Sequence, residues 1–377
     1  IPKIEIPEVT PEEEPLILKM PVNFYGSTRN IRLRPGTGEV HVADASELSV
    51  SNAWVRLADG RYELMLADCI ATRDELHLCD WGYYQLTKRV SEEFCEAQHT
   101  NNTKILQAFL MTQAGYKIRI GRSNNNIYLL FPSKSIIYRA PYYKLDGVSY
   151  YLLDKDFTGS SINVCQAAFP GEQGFSININ ELPRLPYAPT TARKHMSLKY
   201  PDANISFAAN KNLIDFYDTF PRTTWDIFSY TSLSSEAKEA IYPVLRKAIE
   251  GKNEATAANI LINFVQTGFQ YKTDQQQFGY ERSLFGDETL FYPYSDCEDR
   301  SILYSILVRE LLGLDVALVS YPGHLATAVC FKEGPYGDYF NVDGKKFTVC
   351  DPTYIGAHIG LTMPDMDNNK AELTILQ

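Results

Sequence analysis

Basic charge is in deficit along this chain: 36 Lys and Arg stand against 46 Asp and Glu, a formal net charge of −10. An acidic surface repels phosphate backbones, so non-specific nucleic-acid binding is excluded, and no zinc-finger spacing or basic stripe argues otherwise. No uninterrupted apolar run reaches the roughly 18 residues that a membrane helix needs. The seven cysteines do not have the spacing of a small disulfide scaffold, and their odd number leaves at least one unpaired unless it bonds another chain. The plain reading of Cys69, Cys79, Cys95, Cys165, Cys330 and Cys350 is that of small buried hydrophobes. The acidic run MPDMDNN at 363–369 lacks the glycine and the closing glutamate of a calcium loop, so no metal and no cofactor is expected.

What is present is an ordinary globular composition, 45% apolar and 22% charged, with 25 Tyr and 19 Phe that suit pleated, half-buried surfaces. Its 377 residues favour two domains. Residues 1–15 are rich in Pro and Glu and read as an extended arm. An N-terminal α+β unit follows over 16–181, then a linker at 182–195 with the proline-punctuated LPRLPYAPTT, then a second unit over 196–377. In the first unit LILKMPVNFYG, IRLRP, VHVAD, WVRLADG and RYELMLADC read as strands, Asp74–Phe94 and Thr103–Ala114 as helices, and YKIRIG, NIYLLF, SIIYRA and YYKLDGVSYYLLD as strands. In the second, ISFAA and NLIDFYD read as strands. Helices follow at Ser235–Glu250, which Pro243 would kink or divide, at Asn253–Thr267 and at Cys297–Leu312. DVALVS, LATAVCF, YFNVDG and KKFTVCD are the closing strands.

The two units read as a repeat. ILQAFLMTQAGYKIRIG from Ile105 lies against ILYSILVRELLGLDVALVS from Ile302 at an offset of 197, which becomes 198 at Gly115 and Gly313. YYKLDGVSYYLLD against YFNVDGKKFTVCD matches Asp146 with Asp343 and Asp154 with Asp351.

Chemistry concentrates in the second unit. In YPYSDCEDRSILYSILVRELLG, Cys297 falls at the start of an apolar helix, where the macrodipole and unpaired N–H groups favour a thiolate and can bind an oxyanion. Glu298 and Asp299 suit the same helix start as plain caps and oppose the thiolate, so a cationic partner is needed. His324 opens a strand after Pro322-Gly323, 27 residues on, and Asp351 ends a strand after a further 27. Adjacent antiparallel strands would set them side by side as base and orienting carboxylate. His358 is a rival imidazole, set aside because it follows Asp351 in a Gly-rich loop.

Cys297-Glu298-Asp299 at a helix start, His324 on the next strand and Asp351-Pro352-Thr353 on the strand after resemble the transglutaminase-like superfamily core over about 260–359. The resemblance implies a papain-like α+β fold, a Cys-bearing helix packed on an antiparallel sheet, and acyl transfer through a thioester. Cys297 would be the nucleophile, His324 the base and Asp351 the orienter. Gln266, Tyr271 and Tyr294 are candidates for the second oxyanion donor or the cleft lining. In the repeat register Cys297 falls on Thr100, His324 on Asn126 and Asp351 on Asp154, so the first unit would be a degenerate copy. The expected partner is a peptide or protein substrate, with a primary amine as a further acceptor. The outcomes are amide hydrolysis, glutamine crosslinking or a silent binding protein. Bacterial relatives of the family are often exported, and the chain opens on Ile1, not Met, which together suggest an extracytoplasmic, periplasmic or secreted protein.

Overall fold

The computed structural model describes residues 17–154, 157–159, 161–165 and 167–376, so the expected arm at 1–15 lies outside them. The described chain is α+β, with antiparallel sheets packed on helices. A hairpin of β1 (Leu18–Phe24) and β2 (Ser27–Leu33) comes first, followed by α1 (Glu47–Leu57), α2 (Glu63–Glu75), α3 (Asp80–Phe94) and α4 (Asn101–Gln113). Then β3 (Arg119–Ser123), β4 (Asn126–Pro132), β5 (Tyr142–Leu145), β6 (Val148–Leu152) and β7 (Asn163–Val164) form a five-stranded sheet.

Several strands expected here are something else. WVRLADG and RYELMLADC belong to α1 and α2. Their buried residues, Ala53 and Leu57, then Met65, Cys69 and Thr72, recur at helical spacing, and Ser46 caps α1 by accepting the Ser49 N–H. The helix expected over Asp74–Phe94 is two helices, because His77 turns to φ 50° between α2 and α3. VHVAD joins no sheet; the Val42 N–H donates to Asn102 Oδ1. SIIYRA makes only an isolated bridge, Ile137 to Thr223.

A second hairpin, β8 (Arg193–Met196) with β9 (Asn204–Phe207), precedes α5 (Lys211–Asp218), α6 (Trp225–Tyr230), α7 (Ser235–Ile249) and α8 (Glu254–Thr267). NLIDFYD, expected as a strand, is α5, capped by Asn210 and burying Leu213, Ile214, Phe216 and Tyr217. Pro243 sits inside α7 without dividing it. Residues 182–195 are tied at several points: the Arg184 N–H reaches Leu76 O, the Thr190 N–H reaches Ala209 O, and Leu185 is buried.

Next come β10 (Gln270–Tyr271), α9 (Asp274–Gln277), α10 (Gly286–Phe291), β11 (Tyr294–Ser295) and α11 (Cys297–Leu312). The chain closes with β12 (Val316–Tyr321), β13 (His324–Cys330), β14 (Tyr339–Val342), β15 (Lys345–Cys350) and β16 (Glu372–Leu376). The two large sheets have the same strand order: β5-β6-β4-β3-β7 in the first and β14-β15-β13-β12-β16 in the second. Each follows a long helix, α4 or α11. The hairpin turns Asp146-Gly147 and Asp343-Gly344 also match, with φ of 49° and 78° against 50° and 78°. Two consecutive positive φ values define the tight turn that suits strand twist, and Asp-Gly is the pair that tolerates them.

The core centres on α11. Ile302, Leu303, Tyr304, Ile306, Leu307 and Val308 are fully buried, as expected of a helix apolar on nearly every side. The other face of the second sheet holds a smaller cluster of Ala317, Val319, Tyr321, Ala326, Ala328 and Phe347. In the first half, the fourth residue after the α4 N-cap is Lys104, buried and paired with Asp154. Removing one partner of a buried ion pair strands the other charge, whereas replacing both with apolar groups does not. Asp154→Leu alone is expected to cost about 3 kcal/mol, and Lys104→Met with Asp154→Leu to recover most of it. Urea unfolding of the three proteins checks this, and a double variant no more stable than the single refutes it.

Candidate active site

The first turn of α11 is built by its acidic residues. Asp296 is the extended N-cap, at φ −111° and ψ −155°, and Asp299 turns back to accept the Asp296 N–H at 3.2 Å. The other Asp299 oxygen accepts the Leu284 N–H at 2.9 Å, so this buried carboxylate braces two segments. Cys297 is the first helical residue. Its sulfur lies 3.2 Å from Glu298 Oε2, and the Leu325 backbone N–H points to it. Ser301, one turn on, donates to Leu325 O at 2.9 Å, which ties the start of α11 to the start of β13.

His324 opens β13 directly after the Pro322-Gly323 turn, paired with Tyr321, whose ring stacks near it at 6.2 Å. The β13–β15 register sets Thr327 against Cys350, so Asp351 emerges beside His324. His324 Nε2 is 2.8 Å from Asp351 Oδ2. Asp351 Oδ1 accepts the N–H groups of Thr353 and Tyr354 at 2.8 and 3.1 Å, which fixes the carboxylate plane. With Nε2 committed to Asp351, Nδ1 is the nitrogen that remains, and it has no hydrogen-bond partner among the described residues. The structure therefore joins His324 to Asp351, and brings the Cys297 sulfur to the residue next to His324. Among the described residues the sulfur makes no hydrogen bond to the imidazole.

The other candidates fall in different places. Gln266 is buried and its Nε2 donates to the carbonyls of Asp351, Tyr354 and Ala357 at 2.9–3.0 Å. It clamps the loop that carries Asp351 and has no donor left for an oxyanion. Tyr271 lies in the electrostatic field of Cys297, with its ring beneath Arg300, 5.4 Å from the guanidinium carbon. Tyr294 pairs with Gln270 and packs under Lys272. His358 bonds its neighbour's carbonyl, Ile359 O, at 2.7 Å. Thr100 is the N-cap of α4, so counted from the caps it is Asn101 that stands opposite Cys297. Asn126 opens β4 as His324 opens β13, and Asp154 is held by Lys104. All seven cysteines are free; Cys69 and Cys350 are buried as expected, whereas Cys165 is exposed.

Electrostatics reverse one expectation. Burial, and then the Glu298 carboxylate, push the Cys297 thiol well up, so the helix N-terminus does not produce a resting thiolate. Tyr271 is pushed up to about 12 by burial and then by Cys297. Burial and then Asp296 lift Asp274 to about 7; burial and then Glu298 lift Asp296 to about 8. Burial is also the first cause of the upward shifts of Glu298 and Asp299. Asp274, Asp296 and Glu298 place oxygens within 4.8 Å of one another, a grouping that can share protons or hold a cation, and Asp296 Oδ1 is buried without a partner. Sequence reading missed Asp274, which sits 22 residues before Asp296 in a stretch with no spacing signal. Arg300, fully buried, spends its guanidinium on Gln266 O, Phe269 O and Ser295 Oγ rather than on these carboxylates.

Comparison with family models, with curated proteins and with solved structures finds no match to this chain.

The Asp274 carboxyl has a folded value above its unfolded one, so its stabilising contribution is complete below about pH 4 and is lost as pH rises through about 7. Asp274→Asn is therefore expected to gain stability over the parent between pH 5 and pH 8, by on the order of 2 kcal/mol. Urea midpoints at the two pH values measure this; a gain independent of pH contradicts it.

Proposed function

We propose that this chain is a cysteine-dependent acyl-transfer enzyme of the transglutaminase-like, papain-like plan, acting on amide bonds of peptides or proteins through a thioester. A peptidase- or amidase-type hydrolase is the simplest form of it. The observation that carries the reading is the 2.8 Å contact between His324 Nε2 and Asp351 Oδ2, with the Cys297 sulfur set against the next backbone N–H at a helix start.

In this mechanism Asp351 holds the proton on Nε2, which leaves the Nδ1 lone pair to act as base. As the substrate carbonyl enters, the Cys297 proton passes to Nδ1 and the sulfur attacks the carbonyl carbon. The oxyanion is bound by the Cys297 N–H, with the Tyr271 hydroxyl as the second donor in preference to Gln266. The imidazolium then gives its proton to the leaving amine, and the C–N bond breaks. Water, deprotonated by the same nitrogen, resolves the thioester, and the proton returns to sulfur. A primary amine in place of water gives a crosslink by the same steps.

The matching strand orders, the capped helix before each sheet and the paired Asp-Gly turns support a tandem repeat. The first copy carries neither thiol nor imidazole at the matching positions, and its carboxylate is bound to Lys104. Among the described residues no helix is long and apolar enough to cross a membrane. The extracytoplasmic placement rests on the family resemblance.

A silent binding protein is the second reading, favoured by the neutral thiol bonded to Glu298. An iodoacetamide probe on one sample, and a glutamine donor with and without a primary amine on a second, unlabelled sample, separate the readings. The expected result is release of ammonia or peptide, abolished by Cys297→Ala and lowered ~10³-fold or more by Asp351→Asn, with Cys297 labelling that speeds up as pH rises, since the resting thiol is protonated. Amine incorporation identifies the transferase instead. Absence of both labelling and turnover leaves the binding protein.

A further inference from the structure

We propose that the pocket beside Glu298 is a carboxylate subsite, in which Arg222 and Arg139 bind an anionic group of the acyl donor; this rests on the acyl-transfer reading and names its substrate class. The pocket has a volume of about 440 Å³, enough for a ligand of dipeptide size, and its apolar wall includes Phe220, Trp225 and Phe228. Glu298 lines it, and the same side chain touches the Cys297 sulfur, so a ligand in the pocket lies one side chain from the nucleophile.

Three arginines reach the pocket. Arg282 is neutralised by Asp218 and Glu288. Among the described residues Arg139 and Arg222 form no ion pair, and Arg222 Nη1 is buried without any hydrogen-bond partner. In a chain with ten more acidic than basic side chains, two adjacent guanidinium groups left unpaired are out of character. A buried donor without an acceptor is costly unless a ligand supplies one.

The backbone that carries both residues is held in place. The Tyr138 N–H donates to Arg222 O at 2.8 Å, and Thr223 Oγ1 donates to Ile136 O at 2.8 Å, so loops from the two halves of the chain are pinned together. Arg222 also lies over the Tyr280 ring at 4.8 Å. A carboxylate accepts two parallel N–H bonds from a guanidinium, and does so more strongly in a partly desolvated pocket. Glu281 and Glu298 line the same pocket and oppose a phosphate dianion more than a monoanion. The ligand group is therefore a carboxylate, carried within a residue or two of the reacting amide.

The test uses the full chain carrying Cys297→Ala, so that ligands bind without turnover. Three tripeptide pools built around Gln-Gly are titrated by calorimetry: one with a free C-terminal carboxylate, one amidated with a Glu side chain, and one amidated and neutral. At least one acidic pool is expected to bind tenfold or more tightly than the neutral one, and the pool that does so identifies the source of the carboxylate. Arg139→Gln and Arg222→Gln should each reduce that preference, and the pair should abolish it. Arg139 is exposed, so its variant keeps the test valid should Arg222→Gln unfold. Equal binding of all pools, binding of none, or a preference that survives the double substitution overturns the subsite. Wild-type turnover of the same pools keeps the two ideas apart. Acid preference without turnover retains the subsite and removes acyl transfer, and turnover without preference does the reverse.

Discussion

The burial of the first turn of α11 is the constraint on which the rest of the site depends. A helix apolar on nearly every side must sink into the core, and it takes its charged N-terminus with it. Each polar group there then needs a partner, because an unpaired buried group costs far more than one in water. Asp299 meets that demand by bracing two backbone N–H groups, Arg300 by donating to two carbonyls and a hydroxyl, and Gln266 by donating to three carbonyls around Asp351. The same burial makes Asp296, Glu298 and Asp299 reluctant to ionise and keeps the thiol protonated. Geometry and protonation state thus share one cause.

The two halves of the chain solve a related problem differently. Counted from their N-caps, Lys104 of α4 and Arg300 of α11 occupy the same fourth position, and both are buried cations. Lys104 takes its charge balance from Asp154, just past β6. Arg300 is satisfied by backbone oxygens, which leaves Asp351, just past β15, free to bond an imidazole. What the buried cation binds thus differs between the two halves, and with it what the carboxylate after the paired strand is left to bind. In the proposed tandem reading, this would separate a packing copy from a reactive one.

Local chemistry made part of this legible in advance. Cys297 could be placed at a helix start because Asp296 and Asp299 are capping residues and the apolar positions that follow recur at helical spacing. His324 and Asp351 could be placed on neighbouring strands because turn residues and alternating hydrophobics mark both. Long-range contacts decided the rest. RYELMLADC alternates well enough for a strand, yet Met65, Cys69 and Thr72 bury as a helical stripe. Val42 forms no ladder because the Asn102 side chain accepts its N–H. Gln266 is no oxyanion donor because three carbonyls distant in sequence take its amide. Asp274 and the pairing of residues 136–138 with 222–223 join segments that no sequence spacing connects. The helix dipole that would activate the thiol is visible in sequence, and the desolvation that outweighs it is not.

That protonated thiol bears on how such a site would work. Thiolates, not thiols, are the species that oxidise readily. A sulfur held neutral by burial and by Glu298 is therefore protected at rest. In the proposed mechanism the same protection means that the nucleophile would be generated during the encounter. Glu298 is placed to couple the two events, since it touches the sulfur and also lines the pocket where a ligand would sit. Hydrogen-donating groups of the proposed acyl donor, such as its amide N–H groups, would draw this side chain away and weaken the foremost charge opposing the thiolate. They would also free the sulfur to turn toward the one imidazole nitrogen that has no other protein partner among the described residues. In the proposed mechanism, activation by substrate would then follow from where a single carboxylate lies.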